Sequence, residues 1–227
     1  MEKPFILIQA PIATRSGYGA HARDICIELL KSNKYFVKIV SRRWGNTPMN
    51  ALRNDQKDHQ LLINALQNDN HLPRQPDLHI DITVPNEFQK VGVKNMGITA
   101  GLETTAIPKG WIDGLDQMDL NIVPSTFVAD VCRNTQYEEK RDDKVVGSIK
   151  TKAKIVDLFE GYDEKIYGKT NEFSKSLVDE MSVIKEDFCF LFVGHWLSGN
   201  MGEDRKDVGM MIKTFLESFK NLRSKKK

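Results

Sequence analysis

Short apolar runs alternate along the chain with stretches in which apolar residues recur every three or four positions. The stretches at 5–8, 36–40, 78–84, 93–99, 120–123, 155–159 and 189–193 read as strands, and 5–8 is continuously apolar, as expected of a strand covered on both faces. Between them, Ala22, Ile25, Cys26, Leu29 and Leu30 form one helical stripe, and Leu61, Leu62, Ala65 and Leu66 a second. The stretch 9–19 is predicted as loop. Pro108 is placed for the first turn of a short helix reaching about Met118. Ser125 is placed to cap a helix starting near Phe127. A polar helical stretch covers 171–185, and Val208, Met211, Ile212, Phe215, Leu216 and Phe219 mark an amphipathic helix. Strand–helix alternation predicts an α/β, Rossmann-like fold with a mostly parallel sheet and helices on both faces. The all-charged run 138–144 reads as a solvated turn.

Composition narrows the function. The 227 residues carry 33 Lys+Arg against 31 Asp+Glu, a formal charge of +2. Setting aside Arg223, Lys225, Lys226 and Lys227 leaves 29 basic residues against the 31 acidic ones. A nucleic-acid partner needs a concentrated cationic face, so none is expected. Cys26, Cys132 and Cys189 are widely spaced within apolar runs, which predicts buried reduced thiols; no CxxC pair offers zinc ligands. The N-terminus lacks a secretory pattern and no apolar stretch is long enough to span a bilayer, so a cytoplasmic protein without a transmembrane segment is expected.

Gly17-Tyr18-Gly19-Ala20-His21-Ala22 formally fits G-x-G-x-x-A, and Arg42 and Arg43 at the end of the second strand could hold a 2′-phosphate. The first glycine lies about eight residues beyond its strand, however, which is poor placement for an NADP site. Small residues before a helix still let backbone N–H groups approach an anion or a sugar hydroxyl. No P-loop or G-x-S-x-G elbow occurs, and the five histidines show no metal-ligand spacing, so no metal is expected. His79 and Asp81 share a strand face, which reads as a structural pair. Glu103, just beyond the 93–99 strand, lies where open α/β sheets bind ligands.

The segment Gly97 to Trp111, followed by Asp119 to Val128, resembles the N-terminal domain of family-four glycosyltransferases of the GT-B fold. The family pattern reads E-T-x-x-x-P-x-x-W and then D-x-x-x-V-P-S-x-F-V. Residues 155–167 are similar to the stretch that ends that domain. Phe190 to Gly194, Arg205 to Val208 and Phe215 resemble the opening of the nucleotide-sugar domain, and Ser16 to Gly19 fit the glycine-rich first loop of the N-terminal domain. The likeness runs in order over nearly the whole chain.

The resemblance implies transfer of a sugar from a nucleotide-diphosphate donor to a hydroxyl of a glycan or small-molecule acceptor, with retention and no bound cofactor. It implies a Rossmann-like acceptor-side domain over 1–170, a linker over 171–187, and over 188–227 the first strand–helix unit of a truncated nucleotide-sugar domain. Glu103 is then the catalytic candidate, orienting the acceptor hydroxyl. Ser16, Gly17, Tyr18, Gly19 and Ser125 line the acceptor cleft. His195, Arg205 and Lys206 contact the donor diphosphate. His195 stands where the family has arginine, and Asp207 where it has glycine. The fragment is expected to be inactive or incomplete alone, with its last helix able to pair with a second copy in a homodimer. A non-catalytic sugar-binding remnant and an NADP-binding reductase domain are the competing readings.

Overall fold

The computed structural model describes residues 2–67, 71–142, 144–164, 167–194, 196, 200–204 and 206–220. The chain divides into two units, Met1–Asp163 and Glu164–Lys227.

The first unit is built from β1 (Phe5–Ala10), α1 (Gly17–Ser32), β2 (Phe36–Ser41), α2 (Lys57–Ala65), β3 (Leu78–Ile82), β4 (Lys94–Ile98), α3 (Lys109–Gln117), β5 (Leu120–Val123), α4 (Thr126–Asn134), β6 (Tyr137–Arg141), β7 (Lys144–Ile149) and β8 (Ile155–Asp157). Six strands form one parallel sheet in the order β2-β1-β3-β4-β5-β8. Outside β2, Leu66 bridges Ile39 in parallel, and Gln67 N–H donates to Ile39 O at 2.8 Å. That bridge is a stub of a further strand position. Counting it, the sheet has the Rossmann strand order extended by one strand. The α/β, Rossmann-like expectation therefore holds.

Helices cover both faces. Ile6, Ile8, Ile80, Ile82 and Ile98 pack against Ala22 and Cys26 of α1 and Leu62 and Ala65 of α2. On the opposite face Val123 and Ile155 lie beneath Ile112 and Leu115 of α3 and Val128, Ala129 and Cys132 of α4. Full burial of an aliphatic side chain of this size contributes roughly 1.5–3 kcal/mol, so these two clusters dominate the stability of the unit. Cys26 and Cys132 are buried thiols, as expected.

Two local expectations change. Helix α1 starts at Gly17, inside the stretch 9–19 expected to be loop, because the Ser16 hydroxyl accepts the Gly19 N–H at 3.0 Å and caps the first turn. The charged run at 138–144 is more than a turn: it supplies most of β6, the reversal at Asp142 with φ 48°, and the first residue of β7 in an antiparallel hairpin. Its charges alternate sign every second residue. A strand therefore puts Glu138 beside Lys140 (3.2 Å) and Glu139 beside Arg141 (3.7 Å) on opposite faces.

The second unit contains α5 (Lys175–Met181) and α6 (Val208–Phe219). Helix α5 is shorter than the expected 171–185. Residues 189–193, expected as a strand, form none; a strand needs a hydrogen-bonded neighbour, and no strand is described in this unit. Phe190 packs instead on the rings of Phe215 and Phe219, each 5.4 Å away. Cys189 is exposed, contrary to expectation. Among the described residues no helix is long and apolar enough to cross a membrane.

Candidate functional site

The sheet turns its carboxyl edge toward a ring of loops, and the sequence-derived residues of the first unit gather there. At the end of β1 the chain makes a tight turn, with Thr14 N–H and the Thr14 hydroxyl both donating to Pro11 O at 3.0 and 2.8 Å. Thr14 Oγ1 lies 2.8 Å from Ser16 Oγ, fixing the cap of α1. Gly19 is required by close approach, since a Cβ there would lie 2.5 Å from Thr14 O and 2.8 Å from Pro11 O. Gly17, in contrast, faces open space, leaving the start of α1 accessible to a ligand.

Tyr18 joins this turn to the next loop. Its hydroxyl, which carries one proton, accepts the Ala100 N–H at 3.0 Å and shares a hydrogen bond with Thr99 Oγ1, 2.9 Å away. Burial raises the phenol above its ordinary pKa, which keeps that proton in place. The Tyr18 ring packs on Trp44, with centroids 4.3 Å apart. The structure thus brings the glycine-rich start of α1 against the beginning of the β4–α3 loop, which carries exposed Glu103. Ser125 sits on the same edge after β5 and caps α4 by accepting the Val128 N–H at 3.3 Å. Ser16 and Ser125 are engaged as caps, so their backbone turns, more than their hydroxyls, line the edge. Thr99 and Trp44 had no signal in the sequence, because their partner Tyr18 lies 81 and 26 positions away.

Between β1 and β3 the direction of chain winding reverses, and a polar cluster fills this switch point. Asp81 is fully buried and lies 3.0 Å from Arg42 Nη2; Arg42 also pairs with Glu87 at 3.2 Å. Thr83 Oγ1 donates to Glu87 at 2.8 Å. Burial pushes the Asp81 carboxyl up to about 6, with Arg42 opposing the shift. Burial pushes His79 down to about 4, so its imidazole is neutral. His79 and Asp81 clamp one residue from two sides: His79 Nδ1–H donates to Gln89 O at 3.1 Å, and Asp81 accepts the Gln89 N–H at 3.0 Å. The pair is structural, as expected. Arg42 is committed to two carboxylates and is poorly suited to a 2′-phosphate.

Two clefts open on this edge. One, of about 270 Å³, lies between α1 (His21, Asp24, Ile25) and Leu158 to Gly161, with His21 Nε2 4.0 Å from Glu160. The other, about 430 Å³, lies above the Arg42 cluster. No group of three or more metal-ligating side chains occurs among the described residues.

In the second unit Lys206 is exposed just before α6, its N–H held by the Asp204 carboxylate at 3.0 Å. His195 and Arg205, the other donor candidates, lie outside the described residues, as does the basic tail beyond Lys220. Asp207 has φ 48°, ψ 40°, the left-handed conformation that favours glycine, and its Oδ1 is buried without a partner. Asp207→Gly is expected to stabilise α6 by about 0.5–1 kcal/mol. Amide exchange should then show protection of 208–219 rising roughly threefold; an unchanged or lower protection would contradict the assigned backbone. Compared with protein families, curated proteins and solved structures, the chain matches none.

Proposed function

We propose that the chain is the acceptor-side part of a cytoplasmic glycosyltransferase that moves a sugar from a nucleotide-diphosphate donor to an acceptor hydroxyl. One observation carries the reading: the Tyr18 hydroxyl ties the open glycine turn of α1 to the root of the Glu103 loop. That contact joins two of the stretches that enter the family likeness. Further support comes from the Rossmann-like strand order, whose carboxyl edge is where such sheets bind ligands.

On this reading Glu103 accepts a hydrogen bond from the acceptor hydroxyl and aligns its oxygen with the anomeric carbon. The open face of Gly17 admits the acceptor close to the α1 backbone. The transition state places negative charge on the departing diphosphate, which cations stabilise. By the family likeness, cations of the nucleotide-sugar domain supply that charge. Arg42 is withdrawn into its own ion pairs, which weighs against an NADP-binding reductase.

The test has two arms. In calorimetry, UDP or GDP should bind and NADPH should not; NADPH binding alone would overturn the proposal. Where transfer from UDP-glucose or GDP-mannose is detected, Glu103→Gln should lower it about a hundredfold. Retention of full activity would remove Glu103 from the site.

A further inference from the structure

The cleft at the switch point has a lining separate from the Glu103 loop, and that lining selects its own ligand. Its walls carry Gln9 from β1, Arg42 and Arg43 from the end of β2, and Asn86, Glu87 and Gln89 from the segment after β3. Each of these groups is planar and polar. Three are carboxamides, each able to donate and accept on neighbouring atoms. Hydroxyls on adjacent carbons of a sugar offer that same mixture of donors and acceptors at matching spacing.

Charge decides against a plain anion site. Arg42 and Arg43 are matched in number by the carboxylates of Asp81 and Glu87, so the cluster is close to neutral. Arg42 is already paired to both carboxylates. A phosphate would have to compete with Glu87 for Arg42 and rely on Arg43 alone. A neutral polyol meets no such competition.

The site is also prepared in advance. Asp81 is fully buried, the Arg42 side chain is only 13% exposed, and the Gln89 backbone is clamped by His79 and Asp81. Arg42 Nε is buried with no hydrogen-bond partner, leaving donor capacity within the cluster unused. Gln9 Nε2 reaches Gln89 Oε1 at only 3.5 Å, a weak contact that a ligand hydroxyl can replace. The volume of about 430 Å³ falls within the small-molecule range of roughly 300–1,000 Å³.

From these observations we infer that the Gln9–Arg42–Gln89 cleft binds a neutral polyhydroxylated ring, a sugar or cyclitol, through its vicinal hydroxyls. That this ring is part of the transferase's acceptor rests on the function proposed above; the binding itself does not.

The probes are methyl α-glucoside and myo-inositol, with inorganic phosphate as the charged comparison, titrated at millimolar concentration into the ¹⁵N-labelled chain. The polyols should shift the side-chain amides of Gln9, Asn86 and Gln89. The double variant Gln9→Ala/Asn86→Ala, whose exchanged groups lie on the cleft wall, should weaken binding about tenfold, as expected for losing roughly one net hydrogen bond. Its melting temperature should stay within a few degrees of the parent's. Arg43→Ala, fully surface-borne, is the second variant and should weaken polyol binding by a smaller factor. The inference is overturned if neither polyol shifts these amides, if phosphate alone does so, or if both variants bind polyols as the parent does. Polyol binding in a chain that binds no UDP or GDP keeps this site and removes the transferase. Nucleotide binding without polyol binding does the reverse.

Discussion

Gly114→Ala should destabilise the first unit by about 3 kcal/mol or more, since an added methyl there meets backbone more closely than at any other described glycine. Helix α3 crosses the turn at Pro85 so closely that a Cβ at 114 would lie 1.7 Å from Pro85 O and 2.4 Å from its carbonyl carbon. Neither atom is at the end of a flexible side chain. The helix or the turn must shift, separating Ile112 and Leu115 from the core they fill. Overpacking usually costs 1–3 kcal/mol, and a backbone obstacle belongs at the upper end. For a unit of this size that corresponds to a loss of roughly 6–12 °C in a thermal melt. Gly110 on the same helix is the internal control. A Cβ there would meet only Asn86 Cβ at 3.9 Å, so Gly110→Ala should be neutral or gain up to about 1 kcal/mol of helix propensity. Equal melts for the two variants would show that α3 does not lie on Pro85.

Arg42→Met should cost about 3 kcal/mol at pH 8 and much less at pH 5. Removing one member of a buried pair leaves the other charge uncompensated, a loss of roughly 3–5 kcal/mol. Here the abandoned group is Asp81, which can escape by taking up a proton. The Asp81 carboxyl sits at about 6 in the folded chain against an ordinary 3.8. The folded chain therefore holds a proton that the unfolded chain releases. Stability from this group is complete below about pH 4 and is lost as pH rises through about 6. Arg42 limits that loss; without it the carboxyl titrates higher and the loss extends upward. His79 has the opposite slope, because burial holds it near 4. Its contribution is present above its ordinary 6.5 and is lost as pH falls toward 4. Glu87, the other charge facing Arg42, remains partly solvated (50% exposed) and adds little to the difference. Urea titrations of parent and variant at both pH values give the answer; a pH-independent cost would show that the Arg42–Asp81 pair is not its source.

How much of this was readable from residues alone depends on the range of the interaction. The six strands of the main sheet were legible from local sequence, most plainly the continuous apolar run of β1, and the Ser125 cap from one residue before a helix. Residues 189–193 had the most apolar run in the chain and still formed no strand, because strand formation is decided by a neighbour and not by the run itself. The charged hairpin failed the opposite way. Nothing apolar marked it, yet its sign alternation at every second residue fits a strand better than a turn. At the candidate site, Gly17, Gly19 and Glu103 could be picked out by position relative to predicted strands. The Tyr18–Thr99 link and the Arg42–Asp81–Glu87 cluster could not, since each joins residues 39 or more positions apart through the fold. Arg42 and Arg43 drew attention as cations. Their sequence neighbours gave no hint that one of them is already neutralised from β3.

The bridge at Leu66 has a consequence for how the protein behaves in company. Among the described residues it is the sole element bridging the outer side of β2. Ahead of it, Phe36 to Lys38 have no strand beside them on that side among the described residues. Their backbone donors and acceptors are positioned to zip onto another extended segment, the geometry from which edge-to-edge aggregation begins. Lys38, midway along β2, supplies a charge that discourages such pairing. Lengthening or deleting the stub should therefore tune self-association of the chain while leaving its loop-borne chemistry untouched.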